Sequence, residues 1–216
     1  MNEKLHETVA VIGSGTIGAS WASYFLAQGC SVRIWDPDSS FYERTKLFID
    51  NVWPIMKELG IAELASPDNA IYCKSMAEAI SGSTFVQESG PENAELKTKL
   101  IADIDSILSP DIVISSSSTA LPTSEFQGGA KHPQRVVLGH PFNPPHLMPL
   151  VEVGGGKKTE IWAVDRAIDF YQKIGKSPVR LRAEIPGHLA NRLQAAVYRE
   201  AVYLVSEGYA SVSDID

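Results

Sequence analysis

His140 and Glu152, twelve positions apart, are the two side chains in this sequence best suited to acid–base work. His140 lies in Gly139-His-Pro-Phe-Asn-Pro-Pro145, directly after an apolar run, and Glu152 lies in Val151-Glu-Val153. An imidazole titrates near neutral pH, and a carboxylate on one ring nitrogen fixes its tautomer and stabilises the imidazolium. Such a pair can remove a hydroxyl proton while hydride leaves the same carbon. A second group of residues could hold what receives the hydride. In Gly13-Ser14-Gly15-Thr16-Ile17-Gly18 the first glycine allows a sharp turn, the second clears the approach to a pyrophosphate, and the third lets a helix lie close on a sheet. Asp36, about 20 residues into the motif, can accept both hydroxyls of an adenosine ribose. A 2′-phosphate there would meet a carboxylate, so the expected cofactor is NAD rather than NADP.

These residues need elements to position them. Thr8 to Ile12 reads as a strand buried on both faces, Ile17 to Gln28 as a helix capped by Gly29, and Ser31 to Trp35 as a second strand ending on Asp36. A helix from Ser40 to Leu59 is expected to kink or end near Asn51 because of Pro54. Next come a strand at Ala70 to Cys73, a short helix at Met76 to Ile80 and a strand at Thr84 to Gln87. Pro91 is expected to open a helix whose face is Leu96, Leu100, Ile101, Ile104 and Leu108. Strands at Asp111 to Ile114, Arg135 to Leu138 and Leu150 to Val153 follow, then a helix at Glu160 to Ile174 and a strand at Val179 to Leu181. Strands alternating with helices predict an α/β fold, a doubly wound and mostly parallel sheet. From Gly187 to Glu207 one amphipathic helix carries Leu189, Leu193, Val197, Ala201 and Leu204 on one face, and Ser213 reads as the N-cap of another.

Composition narrows the function. A chain of 216 residues can bury one good core and, beside it, only a small second domain. The formal net charge of -7, with no run of Lys and Arg, argues against a nucleic-acid partner. Residues 1–7 form no apolar signal core and no stretch of about 18 apolar residues occurs, so a cytoplasmic protein without a membrane partner is expected. Cys30 and Cys73 have neither Cys-x-x-Cys spacing nor nearby histidines at ligand spacing, which predicts buried thiols and no metal.

The glycine motif with Asp36, Gln87-Glu-Ser-Gly-Pro-Glu92, Ser116 to Leu121, Gly139-His-Pro-Phe-Asn-Pro144, Pro149-Leu-Val-Glu152 and Pro186-Gly-His-Leu-Ala-Asn-Arg192 together resemble the 3-hydroxyacyl-CoA dehydrogenase family. The resemblance spans nearly the whole chain. It implies a Rossmann domain at 1–185 and, at 186–216, the start of an all-helical domain that closes the substrate cleft and forms a homodimer, so the chain is expected to be truncated. It implies that His140 is the base, Glu152 its carboxylate partner and Asn191 the amide beside the substrate oxygen. The hydroxyl that contacts substrate and cofactor falls at Thr119, with Ser117 and Ser118 as alternatives. Glu92, Lys97 and Asn143 would line the nicotinamide side, although by themselves they read as a helix-start acid, a solvated lysine and a turn asparagine.

The implied activity is NAD-dependent oxidation of the 3-hydroxyl of an L-3-hydroxy acid or a 3-hydroxyacyl-CoA thioester. Trp53-Pro54, Ser124-Glu-Phe126 and Gly155-Gly156 look most like the carnitine 3-dehydrogenase and gulonate dehydrogenase (lambda-crystallin) branches, although Asn191 stands where the carnitine branch carries an acid. The serine and lysine of the CoA-using branch find no clean match in Asp50 to Lys57, with Lys46 and Lys57 as substitutes. A quaternary ammonium would need aromatic faces, for which Trp21, Trp53 and Phe142 are available. The competing reading is a catalytically idle, crystallin-like cofactor binder.

Overall fold

The computed structural model describes residues 7–216; the opening segment without a signal core lies, apart from Glu7, outside the described residues. Eight strands form one sheet: β1 (Thr8–Ile12), β2 (Ser31–Trp35), β3 (Ala70–Tyr72), β4 (Phe85–Glu88), β5 (Ile114–Ser116), β6 (Val136–Pro141), β7 (Leu150–Gly155) and β8 (Ser177–Arg180). The helices are α1 (Thr16–Ala27), α2 (Phe41–Leu59), α3 (Met76–Ile80), α4 (Ala94–Ile107), α5 (Ile161–Lys173), α6 (Ala190–Ser206) and α7 (Val212–Ile215). The spatial order β3-β2-β1-β4-β5-β6-β7-β8 is parallel throughout except where β6 meets β7. Side chains alternate across each strand, so Val9 and Val11 join one core with Trp21, Phe25, Ile49 and Phe170, while Ala10 and Ile12 join the other with Ile80, Ile101 and Ile104. Both faces are covered. The doubly wound, mostly parallel sheet expected from the sequence is therefore present, and the order of its strands reverses between β1 and β4, where such sheets open a crevice for ligands.

Several local expectations are corrected. Of the two outcomes expected at Pro54, an end near Asn51 does not occur: α2 runs through Pro54, and the carbonyl that Pro54 cannot bond belongs to exposed Asp50. Pro91 lies before α4, whose N-cap is Asn93 with its Oδ1 accepting the Leu96 N–H at 3.0 Å. The buried face of α4 is Lys97, Ile101, Ile104 and Asp105, and Leu96 is exposed. The strand expected at Asp111 to Ile114 is displaced to β5, because Ser115 and Ser116 enter the sheet with their hydroxyls satisfied by the Tyr171 hydroxyl at 2.8 Å and Glu88 Oε2 at 2.5 Å. Strand β6 extends through His140, and β8 starts at Ser177, ahead of the expected Val179. Ser211, not Ser213, caps α7, exchanging bonds with Asp214.

Cys30 and Cys73 are free and buried, and burial pushes both thiols up, Cys30 to about 12. No helix among the described residues is long and apolar enough to cross a membrane.

Candidate active site

At the end of β1 the chain turns at Gly13 with φ at +90°, a conformation that L side chains rarely adopt, and a Cβ there would lie 2.8 Å from the Ser89 carbonyl carbon at the end of β4. Gly18 packs so tightly on Gly13 that a Cβ would overlap its carbonyl oxygen, whereas a Cβ on Gly15 would meet nothing within 4 Å. Gly15 is the N-cap of α1, contributes no capping side chain, and no acid occupies the first turn. The unpaired N–H groups of that turn, which includes Thr16 and Ile17, thus adjoin open space at the positive end of a helix dipole, an arrangement that fits a pyrophosphate. Asp36 stands just past β2, its Oδ2 accepting the Ser14 N–H at 2.7 Å and its Oδ1 the Asp38 N–H at 2.9 Å. Turn and acid are thereby locked together.

The antiparallel pairing of β6 with β7 sets His140 directly opposite Glu152. Cross-strand partners share a face, and His140 Nδ1 lies 2.9 Å from Glu152 Oε2. The other carboxylate oxygen, Oε1, accepts the Leu189 N–H at 2.8 Å and the Ala190 N–H at 3.0 Å. A carboxylate so engaged takes the Nδ1 hydrogen, leaving the lone pair of the neutral ring on Nε2. That atom is free to accept a proton. The His188 ring lies 5.2 Å from that of His140, centroid to centroid, and its Nε2 is 3.1 Å from the Ser118 carbonyl oxygen. Burial, and then the neighbouring His140, hold the His188 imidazole below its usual range.

Between these two groups runs the segment after β5. Glu92 gathers it with one oxygen, Oε1, which accepts the N–H groups of Thr119, Ala120 and Leu121 at 3.0, 2.8 and 3.1 Å and the Ser118 hydroxyl at 2.8 Å. Burial opposes the Glu92 charge, but these bonds and the Lys97 ammonium hold its carboxyl below the usual range. The segment is also tied to the start of α6, through the Asn191 amide on Thr119 O at 2.8 Å and the Gly187 N–H on Ala120 O at 3.0 Å. Ser117 and Ser118 spend their hydroxyls inside this framework, on Gln87, Ser89 and Glu92. Thr119 is exposed.

The pattern of the 3-hydroxyacyl-CoA dehydrogenase NAD-binding domain matches residues 8–185, more than half of the chain. The chain belongs to the 3-hydroxyacyl-CoA dehydrogenase family. An L-carnitine dehydrogenase of Nocardiopsis dassonvillei is 47% identical over 209 residues, covering 97% of this chain and 64% of that relative, so the chain spans a little under two thirds of its length. Among solved structures, 3-hydroxybutyryl-CoA dehydrogenase of Escherichia coli superposes with a TM-score of 0.85 at 28% identity over 95% of this chain and 44% of that one. An NAD+-dependent dismutase, 5-formyl-3-hydroxy-2-methylpyridine 4-carboxylic acid 5-dehydrogenase, superposes with a TM-score of 0.90 at 28% identity, covering 98% and 69%. Residues 8–185 are thus a 3-hydroxyacyl-CoA dehydrogenase NAD-binding domain, and NAD is its cofactor.

In this member of the 3-hydroxyacyl-CoA dehydrogenase family not every residue expected at the site reaches it in the same way. Lys97 is 1% exposed, contrary to its reading as a solvated lysine, with its ammonium 3.0 Å from buried Glu88 and 3.9 Å from Glu92. Its link to the segment after β5 runs through Glu92. Asn143 is exposed on the loop three residues after His140. Lys46 pairs on the surface with Asp50 at 2.6 Å, and Lys57 is exposed. Trp21 and Trp53 are core residues, which removes them as faces for an ammonium, while half-buried Phe142 stands 5.5 Å from the His140 ring. Sequence reasoning passed over the roles of Glu88, His188 and Lys176. Lysine at a helix–strand junction reads as solvated, yet Lys176 is buried, bonded to the Pro145 carbonyl and to Met148 O at 2.9 Å, its ammonium 3.4 Å from the centre of the Tyr24 ring.

Proposed function

We propose that this protein oxidises the 3-hydroxyl of a small L-3-hydroxy acid with NAD, and that the acid is L-carnitine. The observation that carries the reaction is the 2.9 Å contact of His140 with Glu152, at the carboxyl end of β6 in the sheet whose β1–β4 crevice holds the glycine turn. When bound there, NAD would supply the acceptor for the hydride that leaves the alcohol carbon. His140 Nε2 receives the hydroxyl proton, and Glu152 stabilises the imidazolium that forms. Thr119, its hydroxyl exposed while those of Ser117 and Ser118 are engaged, and Asn191, fixed by its bond to Thr119 O, hold the substrate oxygen. The open space beside Gly15 and the Ser14–Asp36 bond suit the pyrophosphate and adenosine ribose. Glu92, with Lys97 behind it, and Asn143 support the nicotinamide side.

The substrate reading draws on the relatives' names and on Phe142, whose face beside the base suits a quaternary ammonium. Residues 186–216 would begin a second, helical unit through which two copies pair, a reading supported by the exposed side chains of Leu193, Val197 and Tyr198 on α6. The test is NADH formation with L-carnitine, L-3-hydroxybutyrate, L-gulonate and L-3-hydroxybutyryl-CoA. Carnitine should be turned over fastest; activity confined to the CoA thioester would reverse the substrate assignment, and none with any of them would leave a cofactor-binding protein.

A further inference from the structure

His188 is the one non-glycine residue among those described whose φ is positive, 52°, and it follows Gly187 at 74°. A side chain with a Cβ stays in that region only when its surroundings over-determine it, and such residues gather at functional sites. The surroundings here are specific. The Ser118 carbonyl oxygen can only accept, so the His188 Nε2 that lies 3.1 Å away carries the ring hydrogen. The same left-handed turn sends the next two N–H groups, those of Leu189 and Ala190, to Glu152 Oε1. Glu152 therefore divides its charge. Whatever two backbone N–H groups draw to Oε1 is withheld from the imidazole at Oε2.

We propose that His188 is a positioning residue: its left-handed backbone and its clasp on Ser118 aim the Leu189 and Ala190 N–H groups at Glu152, and so set how strongly that carboxylate supports His140. This inference rests on the reading of His140 as the base and adds the residue that tunes it. The titratable groups that act on His188 are His140 on β6, Glu152 on β7 and Glu92 ahead of α4, and the Arg192 guanidinium of α6 also lies against the turn, bonded to the Pro186 carbonyl oxygen at 3.4 Å. Of these neighbours His140 lowers and the two carboxylates raise the proton affinity of His188, and burial outweighs them, keeping the ring neutral where an ordinary histidine gains its proton. A neutral His188 can clasp Ser118 while His140 changes charge beside it.

The test is a titration of the ring nitrogens by NMR on the 15N-histidine-labelled chain. In the unsubstituted protein His188 should carry a hydrogen on Nε2; a His188 ring whose only hydrogen is on Nδ1 cannot clasp the Ser118 carbonyl and overturns the proposal without any variant being needed. His188→Gly keeps the left-handed turn accessible but removes the clasp. It should move the His140 titration upward by about half a pH unit or more, because a carboxylate released from its N–H donors holds the imidazolium more tightly. In the Glu152→Gln background the same substitution should move it by much less. An equal movement in both backgrounds would mean that His188 acts only by filling space, and no movement in either would mean that it does not act on His140; both outcomes overturn the proposal. NADH formation, measured separately, keeps the two readings apart: an inactive chain that shows the coupling fails as a dehydrogenase but keeps this relationship, and an active one without it does the reverse.

Discussion

The Cα of Gly18 lies against the carbonyl of Gly13, with no room for a methyl group between α1 and the turn that precedes it. Gly15, two residues from that turn, faces open space and has φ at -61°, a value any L residue adopts. The two positions therefore separate folding from binding. Gly18→Ala should destabilise the protein by about 1–3 kcal/mol, the usual cost of forcing extra volume into a packed site. Gly15→Ala should leave the melting temperature nearly unchanged and weaken NAD by about tenfold or more, because its methyl fills the path of the pyrophosphate. Thermal melts and calorimetric titration of both variants measure this, and a Gly15→Ala protein that binds NAD normally would put the pyrophosphate elsewhere.

Asp36 should make NAD bind on the order of a hundredfold more tightly than NADP, since a 2′-phosphate would face an unpaired like charge. Because the same carboxylate also accepts the Ser14 N–H, Asp36→Ala should weaken NAD as well as relax the preference. Dissociation constants for both cofactors under one set of conditions decide the matter.

His140→Ala should lower turnover by about two to four orders of magnitude, the scale of a lost general base, with NAD affinity nearly unchanged. Glu152→Gln should act in the same direction, because an amide neither stabilises the imidazolium nor secures the Nδ1–H tautomer. Steady-state kinetics beside NAD titration separate the two effects, and near-normal turnover in His140→Ala would exclude it as the base.

Lys176 predicts a pH dependence of stability. Burial pushes its ammonium down to about 7, against about 10.4 in an unfolded chain. Below that lower value both states carry the proton and the cost of the buried charge is fully present. As pH rises through it the folded protein loses the proton first, the unfolded chain binds more protons, and stability increases until the unfolded lysine titrates as well. Lys176→Met should remove this increase, so urea midpoints at pH 6 and pH 9 should differ less in the variant than in the unsubstituted protein. A variant with the same pH slope would place the titrating group elsewhere.

The parts of the fold that were legible in the sequence are those where local chemistry and tertiary packing agree. Val9 to Ile12, the glycine turn and the strand ending on Asp36 announce themselves because each needs its residue types wherever it is packed. His140 and Glu152 were legible as a pair, but not as direct partners across two antiparallel strands, since a parallel sheet was the general expectation. Two of the misreadings share one cause, polar groups satisfied at long range. Ser115 and Ser116 enter a strand because Tyr171 and Glu88 complete their hydrogen bonds, and Lys97 is buried because Glu88 is buried with it. The wrong choice of Ser213 as a cap was a local error, for Ser211 has its acid three residues later at Asp214. Nothing near His188 in sequence signals its backbone, apart from the glycine that precedes it.

The one antiparallel step in the sheet also bears on how the molecule assembles. His140 and Glu152 meet by closing a loop of twelve residues, whereas seating β4 beside β1 joins Thr84 to Thr8 across 76. The entropy lost on closing a loop grows with its length, and short-range contacts form earlier in folding. The hairpin that carries the acid–base pair is thus a self-contained unit of chain, able to pair before the nucleotide crevice exists, while that crevice forms only when distant strands have found one another.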